Sequence, residues 1–217
     1  MPAFVDHVLV VDDASLDGTS SEARGAGDPR VEVLRHAENR GVGAAIVTGY
    51  RRALELQADV VAVMAGDGQM HPDDLAPLLH PILGGEVDYA KGDRLAYPGA
   101  FRIMPPARLA GTAALAWLTK KAAGLDRLSD SQCGYTAISR AALLALGDDL
   151  EALWPRYGYP NDLLGALARK RLRVGEVVVR PVYRGEASGL RARHLVTIGF
   201  LIARVAYRRR ALQRTET

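Results

Sequence analysis

Two short apolar runs, each followed closely by acidic residues, constrain the fold of this chain more than any other feature. The first is HVLVV at residues 7–11, ended by Asp12 and Asp13, and the second is DVVAVM at residues 59–64, followed by Asp67. Runs that are apolar throughout, without alternation, are typical of strands buried on both faces of a parallel sheet. Ligands of such sheets bind beyond the carboxyl ends of the strands, so the acids predict a polar site there.

Helical patterns alternate with strand-like runs along the rest of the chain. Residues 41–56 carry apolar side chains at helical spacing, and Pro72 begins a helix with Asp73 and Asp74 in its first turn. Further strands are predicted at residues 31–34, 88–91, 135–138 and 173–179, and a further helix at residues 161–171. This alternation predicts an α/β fold, with a mostly parallel, Rossmann-like sheet covered by helices on both faces.

The composition fits one folded domain. Of 217 residues, 48% are apolar and 24% are charged, which are ordinary values for a globular protein. The single cysteine, Cys133, excludes an intrachain disulfide and has no basic neighbour, so we expect a packed thiol rather than a nucleophile. Because no apolar run approaches ~20 residues, we expect no membrane-spanning helix.

Two segments predict amphipathic helices that lie at a membrane interface. One covers residues 108–123 and the other covers residues 194–212. The second has an apolar stripe of Leu195, Ile198, Ile202 and Val205, with Arg193, Thr197, Arg204 and Arg208 opposite. Such a stripe commonly docks on the domain's own core. The adjacent basic cluster, Arg208 to Arg210, favours an anionic lipid surface instead.

Oxygen ligands follow the second strand-like run. The Asp67 carboxylate and the Gln69 amide are suited to Mg²⁺ or Mn²⁺, with substrate phosphates completing the coordination. Acids after a single strand commonly do no more than end the strand or cap a helix. Acids after two strands of one sheet favour a ligand site, because both sets lie at the same edge.

Five segments follow one another in the order seen in family 2 glycosyltransferases. They resemble most the dolichyl- or polyprenyl-phosphate mannose or glucose synthase branch, and the resemblance covers residues 8–190. The segments are VLVVDDASLDGT, NRGVGAAIVTGYRRAL, VVAVMAGDGQMHPDDL, KGDR and DSQCGYTAISR.

The resemblance implies a GT-A-like fold and an inverting hexosyltransferase. A hexose would pass from a nucleoside-diphosphate sugar, of GDP-mannose or UDP-glucose type, to polyprenyl or dolichyl phosphate. The enzyme would use Mg²⁺ or Mn²⁺ and lie peripherally on an anionic membrane surface, at the cytoplasmic face, without a nucleic-acid partner. The chemistry agrees, since a metal and arginines stabilise a departing diphosphate, and a phosphate acceptor needs positioning more than deprotonation.

The resemblance also assigns roles on the donor side. Asp12, Asp13 and Ser15 would bind the nucleoside part of the donor. Asp67 would be both a catalytic residue and a metal ligand, and Gln69 would be the second metal ligand.

Further roles are implied in the second half of the chain. Arg94 and Arg108 match positions near the phosphates, and Asp130 and Gln132 match the acceptor motif. Of these, Arg94, Asp130 and Gln132 would be catalytic, and Arg108 would bind substrate. A loop that closes over the donor would supply three further substrate-binding residues: Arg184, Ser188 and Arg191.

The sequence departs from the family pattern at two places. The family's N-terminal strand is absent before residue 8, which predicts a gap or an open edge in the sheet. Ala65 stands where the first acid of the metal motif belongs, which predicts weaker metal affinity. We expect residues 1–190 to form an N-terminally incomplete catalytic domain and residues 191–217 to form a basic amphipathic helix and tail.

Three other interpretations remain open at this point. The chain could be a non-catalytic glycosyltransferase-like scaffold, or a transferase for a soluble or polysaccharide acceptor. HVLVVDD also resembles the start of a receiver domain of a response regulator. Such a domain requires a phosphoacceptor Asp at the end of its third strand, where this chain has Met64, Ala65 and Gly66.

Overall fold

The computed structural model describes residues 1–183 and 192–215. Each strand lies within two residues of its predicted bounds, because the apolar runs that predict the strands also fill the core. The strands are β1 (Val8–Asp12), β2 (Val31–Arg35), β3 (Val60–Val63), β4 (Tyr89–Asp93), β5 (Thr136–Ser139) and β6 (Val174–Val178).

Helices connect the strands. The longer ones confirm the predicted helical segments, whereas the sequence patterns do not predict the short helices α4, α6 and α7. A 3-10 turn over Pro72–Asp74 precedes α3. The helices are α1 (Thr19–Gly25), α2 (Val42–Glu55), α3 (Leu75–Leu83), α4 (Ala100–Ile103), α5 (Pro106–Ala123), α6 (Arg140–Leu146), α7 (Asp148–Glu151), α8 (Tyr159–Arg169) and α9 (Ala192–Thr215).

The strands form two sheets within the described residues. Strands β1 and β2 pair in parallel, and the second sheet has the order β3-β5-β4-β6. Strands β4 and β6 are parallel, whereas β5 is antiparallel to both of its neighbours. The α/β prediction is confirmed, but hydrophobic runs locate strands without giving their direction, so the reversed β5 could not be foreseen.

The expected interruption of the sheet lies between β1 and β3. These two strands share no ladder in the described part of the chain, although α2 packs against both. Consequently Val8–Val11 and Val60–Val63 are only half-buried, despite being apolar throughout. Each of these strands therefore has one unpaired edge.

Helix α9 packs on the protein rather than presenting its predicted stripe to lipid. Ile198, Ile202 and Val205 are buried against α5 and α8, and Arg204 forms an ion pair with Asp162 at 2.6 Å. Three of the four stripe residues therefore face the protein and not lipid, whereas Leu195 is 48% exposed. The three buried residues pack on the protein because small residues of α5, among them Ala122 and Ala123, let the two helices approach closely.

Helices α5 and α9 also carry exposed apolar residues. They are Trp117 and Leu118 on α5, and Leu195, Val196, Phe200, Tyr207 and Leu212 on α9. Each helix in the described ranges is either too short or too polar to cross a bilayer. The proposed boundary between catalytic domain and tail, at residues 190–191, falls outside the described residues.

Candidate active site

The carboxylate of Asp12, at the end of β1, is turned into the protein. Its Oδ1 accepts the backbone N–H of Ser15 at 2.8 Å, and its Oδ2 accepts from Arg35 Nη1 at 2.6 Å and from the Ser20 hydroxyl. The hydrogen bond from Ser20, followed by that from Ser15 and the charge of Arg35, lowers the pKa of Asp12 to about 2. Asp12 could contact a nucleoside directly only if these hydrogen bonds rearranged. In this structure its carboxylate instead fixes the loop that contains Ser15.

Asp13 holds the loop that leads into α2. Its carboxylate contacts His36 Nδ1 at 2.6 Å and accepts the backbone N–H groups of Arg40 at 2.9 Å and Gly41 at 2.6 Å. Partial burial opposes ionisation of Asp13, but these hydrogen bonds outweigh burial and keep its pKa below the ordinary value. The two acids after β1 thus organise two loops at the carboxyl edge of the sheet.

The glycines at the start of α2 serve close packing. Gly41 has φ of 99°, and a side chain there would lie 2.5 Å from the carbonyl oxygen of Pro155. A side chain at Gly43 would lie 2.3 Å from the carbonyl oxygen of Trp154. Only glycine fits both positions, because any Cβ would clash with backbone.

The loop after β3 carries the predicted metal ligands, Asp67 exposed and Gln69 half-buried. Asp67 is exposed, and its Oδ1 accepts the backbone N–H of Gln69 at 3.0 Å. Within the described residues, the structure holds no cluster of three His, Cys, Asp or Glu side chains that could bind a metal on their own. One carboxylate and one amide fit a cation that takes its other ligands from donor phosphates, and Ala65 adds no charge to that set.

Arg94, just after β4, is fixed by Asp130. The guanidinium Nε and Nη2 donate to the two carboxylate oxygens at 2.7 Å and 3.0 Å, and Asp130 is fully buried. Burial raises the pKa of Asp130, but the Arg94 guanidinium and the nearby Lys91 charge outweigh it and hold that pKa below its ordinary value. The pair therefore stays charged at neutral pH.

Gln132 lies beside this pair but points towards α8. Its amide nitrogen donates to Ser131 Oγ at 2.8 Å and to Asn161 Oδ1 at 3.3 Å, and Thr119 also donates to Asn161 at 2.7 Å. The structure thus brings Gln132 next to Asp130, whose Oδ1 accepts the Gln132 backbone N–H at 3.0 Å, while the half-buried Gln132 side chain bonds to neighbouring side chains. Sequence reasoning missed Asn161, because a lone Asn at the start of a helix matches no motif.

A tyrosine links the two predicted phosphate-binding arginines. Arg94 Nη1 lies 3.4 Å from the hydroxyl of Tyr183, and the Arg108 guanidinium stacks 4.7 Å from the centre of the Tyr183 ring. Tyr183 leads into the segment of the predicted donor loop, whose residues Arg184, Ser188 and Arg191 lie outside the described residues.

One cleft collects residues from these loops. Both Gln69, the predicted second metal ligand, and Arg94 line this cleft. Asp12 and Asp13 are not among its lining residues. The lining also includes Cys133, which is buried, and burial raises the pKa of its thiol. The other polar side chains of the lining are Gln69, Arg94, Tyr135, Arg180 and Tyr183.

Solved structures show the same architecture. Glucosyl-3-phosphoglycerate synthase from Mycobacterium tuberculosis, crystallised with Mn²⁺, UDP and glucosyl-3-phosphoglycerate, superposes with a TM-score of 0.61 at 22% identity. The match covers 93% of this chain and 66% of that one, just under two thirds. Mannosyl-3-phosphoglycerate synthase from Rubrobacter xylanophilus gives 0.60 at 21% identity, covering 97% and 65%. The fold is therefore of the GT-A glycosyltransferase class.

Sequence comparison gives the family. The model of glycosyl transferase family 2 matches residues 2–147. A UDP-N-acetylglucosamine–dolichyl-phosphate N-acetylglucosaminyltransferase of Methanococcus voltae is 32% identical over 211 residues, covering 91% of this chain and 82% of the relative. An undecaprenyl-phosphate mannosyltransferase of Micrococcus luteus is 35% identical over 180 residues, covering 82% and 72%. The chain belongs to glycosyl transferase family 2, and its resemblance to the polyprenyl-phosphate branch is confirmed.

Proposed function

We propose that this glycosyltransferase moves a hexose from a nucleoside-diphosphate sugar to polyprenyl or dolichyl phosphate, with inversion at the anomeric carbon. The observation that carries the proposal is the cleft shared by Gln69 and Arg94, which joins the loop after β3 to the loop after β4. The names of the two relatives support a lipid phosphate as acceptor. GDP-mannose and UDP-glucose are the proposed types of donor, and the relative from Methanococcus voltae adds UDP-N-acetylglucosamine to the set to be tested.

The residues of the cleft suit a displacement in which negative charge develops on the leaving diphosphate. Arg94 is held in one orientation by Asp130, so its charge is positioned before substrate arrives. Arg108, stacked on Tyr183, places another cation beside the same cleft. The acceptor phosphate is already anionic, so these residues orient it and no strong general base is needed.

A divalent cation is part of the proposal. Asp67 and Gln69 would hold Mg²⁺ or Mn²⁺ together with the donor phosphates, and the cation would neutralise charge on the diphosphate. The Mn²⁺ and UDP in the solved Mycobacterium tuberculosis enzyme support a divalent metal in this fold. Asp67 is exposed and accepts a local hydrogen bond from the Gln69 backbone through Oδ1, which suits a ligand shared with substrate.

We propose that α4, α5 and α9 place the cleft at a membrane surface. Phe101, Trp117 and Phe200 are more than half exposed, and Arg102 lies beside Phe101 on α4. Exposed aromatic residues flanked by cations are typical of proteins that bind peripherally to anionic lipid. The proposed location is the cytoplasmic face of the membrane, where the anionic lipids lie.

The test is transfer of label from a panel of GDP- and UDP-sugars. The purified chain would receive polyprenyl phosphate or 3-phosphoglycerate as acceptor, with Mn²⁺, Mg²⁺ or EDTA. We expect a lipid-linked product that disappears in EDTA and in Arg94→Ala. Product on 3-phosphoglycerate alone would establish a soluble acceptor, and no product from any donor would favour a non-catalytic scaffold.

A further inference from the structure

Lys91 of β4 and Glu176 of β6 are partners in the parallel strand register. Register partners on neighbouring strands present their side chains to the same face of a sheet. Lys91 is fully buried and Glu176 is half-buried, so β4 and β6 place a cation and an anion on the same face of the sheet. Neither side chain lines the cleft.

Both side chains bind one segment, Ser129 to Cys133, from beneath. Glu176 accepts the backbone N–H of Ser129 through both oxygens at 2.8 Å, and that of Asp130 through Oε1 at 2.9 Å. Lys91 Nζ donates to the carbonyl oxygen of Cys133. The anion therefore holds the start of the segment and the cation holds its end.

The segment held in this way carries the partner of Arg94. Between the two contacts, Asp130 Oδ1 accepts the backbone N–H groups of Gln132 and Cys133, each at 3.0 Å. The same carboxylate binds Arg94 at two points. The chain of contacts thus runs from the register pair to the segment, from the segment to Asp130, and from Asp130 to Arg94.

Full burial of the Lys91 ammonium and partial burial of the Glu176 carboxylate have an energetic cost that an apolar pair would avoid. An ammonium or carboxylate removed from water is tolerated only when hydrogen bonds and opposite charge compensate it. An apolar pair at these two register positions could fill the same space, but it would offer the segment neither a donor nor an acceptor. The charges therefore serve the segment's geometry more than the packing of the sheet.

We propose that Lys91 and Glu176 are positioning residues that fix Ser129 to Cys133 so that Asp130 aims Arg94 into the cleft. This inference rests on the proposed function for its effect on transfer. Displacement of a substrate-positioning group by about 1 Å can cost ~100-fold in rate, so loosening the segment should lower kcat.

The primary variant is Glu176→Gln, which keeps the size of the side chain but turns one acceptor oxygen into a donor that faces the N–H groups of Ser129 and Asp130. Lys91→Met is the second variant and removes the donor to Cys133. Glu86→Gln, at an exposed position, is the matched control. We expect both test variants to lower kcat at least ~10-fold, with the KM for the donor unchanged and the control at the wild-type value.

Repeating the Glu176→Gln substitution in an Arg94→Lys protein distinguishes an effect on the position of Arg94 from general destabilisation of the fold. In Arg94→Lys, which removes the two-point contact, adding Glu176→Gln should cause little further loss of kcat, because the pair acts through Arg94. An equal loss in both backgrounds would overturn the proposal, as would wild-type kcat in Glu176→Gln.

Hydrogen exchange tests, independently of activity, whether Glu176 fixes residues 129–133. Backbone amides of residues 129–133 should exchange at least ~10-fold faster in Glu176→Gln than in Glu86→Gln, with β1 and β2 unaffected. Unchanged exchange would overturn the proposal even in an active enzyme. Faster exchange in a chain that transfers no sugar would support the positioning contact and contradict the proposed function alone.

Discussion

Arg94 and Asp130 form a two-point ion pair, with Nε–Oδ2 at 2.7 Å and Nη2–Oδ1 at 3.0 Å. The arginine lies at the cleft, whereas the aspartate is completely buried beneath it. Two parallel hydrogen bonds fix the plane of the guanidinium as well as its position. A lysine could supply the charge but could not reproduce that plane.

Removing Arg94 should affect both stability and activity. Arg94→Ala leaves a buried, unpaired carboxylate at Asp130, so we expect the free energy of unfolding to fall by about 3–5 kcal/mol and transfer to be abolished. Urea unfolding and the transfer assay measure the two effects. Arg173→Ala is the control, because its pair with Asp88 lies on the surface and contributes less than about 1 kcal/mol. A stability loss for Arg94→Ala as small as that of the control would contradict the buried-pair assignment.

Asp67 should matter for catalysis and not for folding. Because its side chain is exposed, Asp67→Ala should abolish metal-dependent transfer while the thermal midpoint changes by no more than ~1 °C. The transfer assay across a Mn²⁺ titration, with thermal unfolding alongside, checks both statements. Cys133→Ser is the control, since the buried thiol takes no part in the chemistry, and it should remain nearly fully active. Full activity in Asp67→Ala would refute its role as metal ligand.

Acid should remove the contribution of Asp12 to stability. The folded-state pKa of about 2 lies below the ordinary value of 3.8, so the charged form is favoured by folding. Its contribution is therefore complete above pH ~4 and is lost as the pH falls towards 2. The difference in unfolding free energy between wild type and Asp12→Asn should shrink over that interval. Urea unfolding at several pH values measures it, and a difference independent of pH would show that Asp12 is not stabilised as an anion.

Two residues of α9 separate membrane binding from core packing. Phe200 is 58% exposed, whereas Ile198 is fully buried. Phe200→Glu should lower binding to phosphatidylcholine vesicles containing phosphatidylglycerol at least ~10-fold and leave stability nearly unchanged. Ile198→Ala should instead cost about 2–5 kcal/mol of stability. Vesicle co-sedimentation and urea unfolding distinguish the two effects, and undiminished sedimentation of Phe200→Glu would remove α9 from the proposed membrane face.

The sequence predicted the positions of the strands well, because the apolar runs at β1 and β3 have clear ends and are too short for helices. It did not predict which way the side chains of Asp12 and Asp13 turn. That depends on Ser20, Arg35 and His36, which come from neighbouring elements and belong to no motif. For α9, the helical spacing identified the apolar stripe. An apolar stripe can contact either lipid or protein, so the sequence alone could not predict that it packs against α5 and α8.

The interruption between β1 and β3 divides the edge where the donor would bind. The loops of Asp12 and Asp13 belong to a two-stranded sheet, which is marginally stable alone, whereas Asp67 follows a strand of the four-stranded sheet. A nucleotide sugar that touched both loops would act as a non-covalent crosslink between two units with different local unfolding free energies. Part of its binding energy would then be used to order the smaller unit, so donor affinity and the rigidity of β1–β2 would rise and fall together.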